Sequence, residues 1–142
     1  MQKSNNFSKP YLGVTKGAIH TLLILFVFGM IANLFIEIPE GLLNHAAWAW
    51  VFGNSAIIVI HTILGILLLL VSIVSLVFAF LSHRSKWIIA SLLGLLFTGL
   101  AAFSGSDFVS NGGAAFSSLL MTFGFLGALV SYALAVLETQ KA

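Results

Sequence analysis

The sequence predicts an all-α membrane protein: four transmembrane helices in an antiparallel, up-down bundle, with both termini cytoplasmic. Three observations carry this expectation. Four apolar segments, at roughly residues 17–38, 55–81, 87–105 and 114–137, fill most of the chain. Each has about the 20 residues that a helix needs to cross roughly 30 Å of hydrocarbon. Six Lys or Arg and four Asp or Glu are the only charged residues among 142, and none lies deep inside an apolar segment. The basic residues also fall on one side when the segments are threaded alternately through a bilayer.

Composition points the same way. Hydrophobic residues make up 60% and charged residues 7% of the chain, against about 25% charged in soluble domains. Such a chain has too little polar surface to cover a water-soluble globule. Residues 17–137 read as one transmembrane domain, between a polar N-terminal tail (1–16) and a short C-terminal tail (138–142). There is no cysteine, which excludes disulfides, thiolate metal sites and cysteine nucleophiles. The net charge of +2 is small and sits at membrane edges, so no nucleic-acid partner is expected.

The tail 1–16 carries Lys3, Lys9 and Lys16 and reads as a solvated cytoplasmic segment. The first apolar run exceeds the 7–15 residues of a signal-peptide core and lacks a small-x-small cleavage site, so a retained span is expected. The outer loop 39–54 opens with Pro39 and Gly41 and carries Glu40 and no base. Its stretch LLNHAAWAWVF is apolar enough to lie in the interface or against the bundle mouth as a short helix. Arg84 and Lys86 mark the next inner loop. Residues 106–113, SDFVSNGG, read as an outer turn. Lys141 follows the fourth span. The positive-inside rule then places both ends in the cytoplasm, and Trp48, Trp50 and Trp87 fall at interfacial depths. These features suit the plasma membrane of a bacterium or archaeon.

Helical spacing sorts each span into faces. Small and weakly polar residues share one face: His61, Gly65, Leu68, Ser72, Ser75 and Ala79 on the second span; Ser91, Gly94, Thr98, Ala102 and Gly105 on the third; Ser117, Met121, Gly124, Ala128, Ser131 and Ala135 on the fourth. Gly29, Asn33 and Glu37 share a face of the first. Helices in lipid associate through close backbone approach and interhelical hydrogen bonds, so these faces are expected to point inward.

Depth picks out four of these residues. His61, Met121, Thr98 and Asn33 all fall about five to seven residues from the outer boundary, within roughly 10 Å at 1.5 Å per residue. An imidazole, a thioether, a hydroxyl and a carboxamide in one intramembrane layer form a candidate site. Haem b, with His61 and Met121 as axial ligands, and a quinone headgroup, hydrogen-bonded by His61 and Asn33, both suit the layer. Interhelical hydrogen bonding of a neutral His61 explains it without a ligand. Glu37, His45 and Asp107, with Glu40, are the outer-face candidates for a divalent metal. A proton pathway needs more acidic groups across the membrane than occur here, so transport by the monomer is not expected, and a pathway would have to be built between subunits of a dimer.

Four spans with a histidine early in the second resemble, in architecture, half of a haem A synthase-like protein and the small four-helix b-type cytochromes. That resemblance implies haem binding. The paired-histidine pattern is incomplete here, since the fourth span offers Met121 and no histidine.

No catalytic motif is present, and the chain leans away from enzyme function. Two functions compete. One is a lipid-embedded protein acting by helix–helix packing, as accessory subunit of a membrane complex or as a homo-oligomer. The other is a haem b- or quinone-binding electron-transfer protein using His61, in which the bundle would enclose a cavity at the His61 layer.

Overall fold

The computed structural model describes residues 7–39 and 41–141. Lys3 and Glu40, read above as topology markers, lie outside the described residues. The described chain forms five helices and no strand: α1 (Ser8–Phe35), α2 (His45–Asn54), α3 (Ala56–Leu81), α4 (Ser85–Ser110) and α5 (Ala115–Gln140). The four long helices are apolar enough to cross a membrane. At 26 to 28 residues each is about 39–42 Å long at 1.5 Å per residue. The chain thus has the make-up of a small multi-pass integral membrane protein whose helices contact lipid.

Each long helix packs against two others, in the ring α1–α3–α4–α5–α1. Helices α1 and α4 face each other across the axis, as do α3 and α5. The side chains sort as a bilayer requires. Leu23, Val27, Ile63, Leu70, Leu96, Phe103, Phe123 and Leu134 are exposed, whereas Ala18, Ser72, Ser75, Ser91, Ala128 and Ala135 are buried. Leucine gains little by leaving the lipid tails, and small residues let backbones approach. Helices α4 and α5 approach closely at Gly124. A Cβ placed on Gly124 would lie 2.6 Å from the Ala101 nitrogen and 2.8 Å from the Phe97 carbonyl oxygen.

Helix α1 starts at Ser8, so residues 8–16 are helix rather than a loose tail. Pro10 sits in the first turn, where its missing N–H costs no helical bond. Tyr11, Thr15 and Ala18 form one stripe and are fully buried. Tyr11 stacks on Trp87 at 4.6 Å between ring centroids. Trp87 is therefore buried and does not face the lipid as an interfacial anchor; the Arg84 guanidinium lies 5.0 Å from its ring centre.

The other boundaries have local causes. The Ser55 hydroxyl caps α3 by accepting the Ile58 N–H at 3.3 Å, a common way to satisfy a free first-turn donor. His83 adopts φ 54° just after α3, the left-handed conformation that often ends a helix. Helix α4 runs to Ser110, so most of the expected outer turn is helical. Val109 is buried there with Ala47 and Val51 of α2 and Ile58 of α3. The turn itself is Asn111–Ala114, with Gly112 and Gly113 at positive φ. Helix α5 continues past Leu137, and Glu138 pairs with Lys86 at 2.9 Å and Lys141 at 3.2 Å.

Candidate ligand cavity

A cavity of about 430 Å³ lies in one half of the bundle, walled by α1, α3, α4 and α5 and by Trp48 of α2. His61, Met121, Thr98 and Asn33 all line it. Small residues make the space: Gly29 on α1, Gly65 on α3, Ala101, Ala102 and Gly105 on α4 and Ala128 on α5 contribute to the wall.

The four residues occupy different sides. The His61 ring fills the place left by Gly29, where a Cβ would lie 3.1 Å from its Cε1 and 3.6 Å from its Nδ1. Nδ1 is buried and closes no well-formed hydrogen bond, although the Leu25 carbonyl of α1 lies within range of the ring. The Met121 sulfur lies against Gly105, 3.4 Å from where a Cβ would stand. Thr98 is 3% exposed, and its hydroxyl also lacks a partner in hydrogen-bond geometry. Asn33 forms part of the wall but is exposed on the outside of the bundle. Glu37 is exposed as well and lies beyond the end of α1. The inward stripe of α1 is instead Tyr11, Thr15, Ala18, Leu22 and Leu25. Met30, Thr122 and Ile66 also line the cavity while being exposed. The space thus communicates with the surface of the bundle.

One end is covered by α2. The Trp48 indole N–H donates to the Ser110 hydroxyl at 3.2 Å, and the Asn44 N–H donates to the Ser110 carbonyl at 2.9 Å. At the other end Phe26 and Phe125 stack at 5.2 Å, and Tyr132 is fully buried beside Gly94. The Tyr132 hydroxyl lies within range of the Ser72 and Thr98 hydroxyls without closing a well-formed bond to either. Spacing singled out neither Trp48 nor Tyr132. The usable signal for Tyr132 was a bulky residue beside the small stripe, which needs a facing glycine.

Of the outer-face metal candidates, Glu40 lies outside the described residues, and Glu37, His45 and Asp107 are not gathered with a third ligand. Among the described residues no three His, Asp or Glu side chains come together as a metal site. His45 and Glu37 are exposed. Asp107 accepts from the Asn111 amide at 2.8 Å and from the Ser117 hydroxyl, joining the end of α4 to α5.

The cavity is therefore an apolar space with a few convergent polar groups, the usual make-up of a small-molecule site. Compared with known proteins, the chain matches no family model, no curated protein and no solved structure.

Proposed function

We propose that this is a multi-pass protein of a bacterial or archaeal plasma membrane that binds a quinone-type headgroup in the cavity around His61. In this reading the spans alternate up and down, with both termini in the cytoplasm. The contacts of Thr15 with Ser75 and of Lys86 with Glu138 support the alternation, and the one-sided placement of Lys and Arg supports the orientation.

The observation that carries the ligand reading is the cavity itself, with two buried polar atoms, His61 Nδ1 and Thr98 Oγ1, short of partners. A buried polar atom without a partner costs about 1–3 kcal/mol, and a ligand carbonyl or hydroxyl supplies one. The exposed rim at Met30, Asn33 and Thr122 suits a ligand with a lipid-soluble tail that arrives from the bilayer.

Haem b is the second ligand that fits the layer, with His61 and Met121 as its ligands. A ligating histidine almost always anchors its other ring nitrogen on an acceptor; the Leu25 carbonyl lies within range of the His61 ring, but the buried Nδ1 closes no well-formed bond. That favours the quinone. The packing reading, as accessory subunit or homo-oligomer, needs small-residue faces on the outside. Gly94 and Gly124 face Tyr132 and Ala101 inside the bundle, while Gly13 and Gly17 of α1 are exposed with nothing within 4 Å of a Cβ and are the small pair open to a partner.

The deciding experiment is solvent extraction and mass spectrometry of purified protein, alongside visible spectra in the oxidised and dithionite-reduced states. Quinone that co-purifies with the wild type and is lost in His61→Ala and Thr98→Val supports the proposal. A Soret band lost in His61→Ala would replace it with haem.

A further inference from the structure

Between the cavity and the end that carries Lys9, Arg84 and Lys86, the inside of the bundle is lined with hydroxyl groups. The fully buried Tyr11 hydroxyl donates to the Trp87 carbonyl at 3.2 Å and also pairs with the Ser91 hydroxyl at 3.0 Å. Ser91 pairs with Ser75 at 3.2 Å, and Ser75 with Thr15 at 3.5 Å. One helical turn along α3 from Ser75 stands Ser72, also fully buried. The Tyr132 hydroxyl lies near Ser72 on one side and Thr98 on the other. Thr98 is in the cavity wall, as is His61.

Ordinary packing does not account for the part of this line at Ser75 and Ser91. A Ser or Thr inside a membrane helix commonly bonds back to a carbonyl of its own helix, as Thr62, Ser131 and Thr139 do here and as Thr15 and Ser72 of the line do to the Tyr11 and Leu68 carbonyls. The Ser75 and Ser91 hydroxyls instead pair across helices with other hydroxyls. Each hydroxyl has one proton, so Tyr11 and Thr15 donate either to the Trp87 and Tyr11 carbonyls or to Ser91 and Ser75, and turning from carbonyl to hydroxyl is what reverses the direction of the chain. Towards the cavity, Tyr132 OH, Thr98 Oγ1 and His61 Nδ1 are buried with hydrogen-bonding capacity to spare. Such groups fit bridging water, which needs two to four polar partners.

We propose that this hydroxyl chain carries protons between the basic end of the bundle and the His61 cavity. At each step a hydroxyl oxygen accepts a proton from one neighbour and releases its own to the next. One O–H bond forms for each that breaks, and no electrons are exchanged. Rotation about the C–O bonds restores the starting direction. From the cavity outward, Asn33, Ser106 and Ser118 of its wall supply polar groups, so the other half of the membrane is the stretch the hydroxyl chain bridges. The proposal uses the cavity but not the identity of its ligand.

The test is proton flux into quinone-free vesicles that contain the full chain and the trapped pH dye pyranine. A potassium diffusion potential set with valinomycin drives the flux. Wild-type vesicles are expected to change internal pH faster than protein-free ones. Tyr132→Phe, which keeps the ring beside Gly94, and the double variant Ser75→Ala with Ser91→Ala are expected to lose that excess. Thr21→Ala is expected to keep it, since Thr21 is bonded only to its own helix. A wild-type rate equal to that of protein-free vesicles would overturn the proposal, as would undiminished flux in Tyr132→Phe. Quinone extraction answers separately, so either reading can fail without the other.

Discussion

The imidazole of His61 on α3 occupies the space that a side chain on Gly29 of α1 would take, with its Cε1 3.1 Å from the missing Cβ. Two helices thus shape one end of the site together, one by supplying a ring and the other by supplying nothing. Gly29→Leu is expected to displace the ring and cost about 1–3 kcal/mol of stability, the usual range for overpacking. Co-purifying quinone should fall to the level of His61→Ala while far-ultraviolet circular dichroism stays helical. Retained quinone would separate the site from this contact.

Glycine substitutions elsewhere should divide by what faces them. At Gly124 a Cβ meets the backbone of Ala101 and Phe97, and backbone cannot rotate away. Gly124→Ala is expected to push α4 from α5 and destabilise by about 1–3 kcal/mol. Nothing lies within 4 Å of a Cβ on Gly99. Gly99→Ala should therefore be neutral or stabilising by up to about 1 kcal/mol through helix propensity. Unfolding curves in mixed micelles with rising sodium dodecyl sulfate would rank the two variants.

Residues 8–16 should behave as part of the bundle. Tyr11→Phe keeps the stack on Trp87 and removes the bonds to Ser91 and the Trp87 carbonyl. Hydrogen bonds between membrane helices average about 0.6 kcal/mol, with a maximum near 1.7, so a loss in that range is expected. Tyr11→Ala also removes the stack and should expose the amides of residues 8–16 to rapid hydrogen–deuterium exchange. Unchanged protection there would show that the stack does not hold this segment.

Topology can be read directly because the chain has no cysteine. Single cysteines at Gly53 and Asn111 are expected to react with an impermeant maleimide in intact cells. Cysteines at His83 and Lys141 should react only after the cells are opened. The reverse pattern would invert the proposed orientation.

Much of this fold is written in composition, because crossing hydrocarbon demands length and apolarity whatever the neighbours are. The number of long helices follows from that requirement alone. The ends are harder to read. Lys9, Thr15 and Lys16 made residues 8–16 look like a tail, yet Tyr11 and Thr15 are buried on a single face. Ser106, Asp107 and Ser110 made a turn of what is helix, because Val109 packs beneath α2. In both cases one buried stripe outweighs an otherwise polar stretch, and average hydropathy does not register a stripe.

For the site, the sequence by itself determined which residues share a face and a depth. Helical periodicity and rise are local properties of each span, and they brought His61, Thr98 and Met121 into one layer. Only the tertiary structure decided the order of helices around the ring and how far each is turned about its axis. Those two variables put Gly29 opposite His61, left Asn33 on the exposed rim, and aligned Tyr11, Ser91 and Ser75 from three helices into one chain. Periodicity within a helix carries no information about which helix stands beside it, so these relations exist only in the assembled bundle.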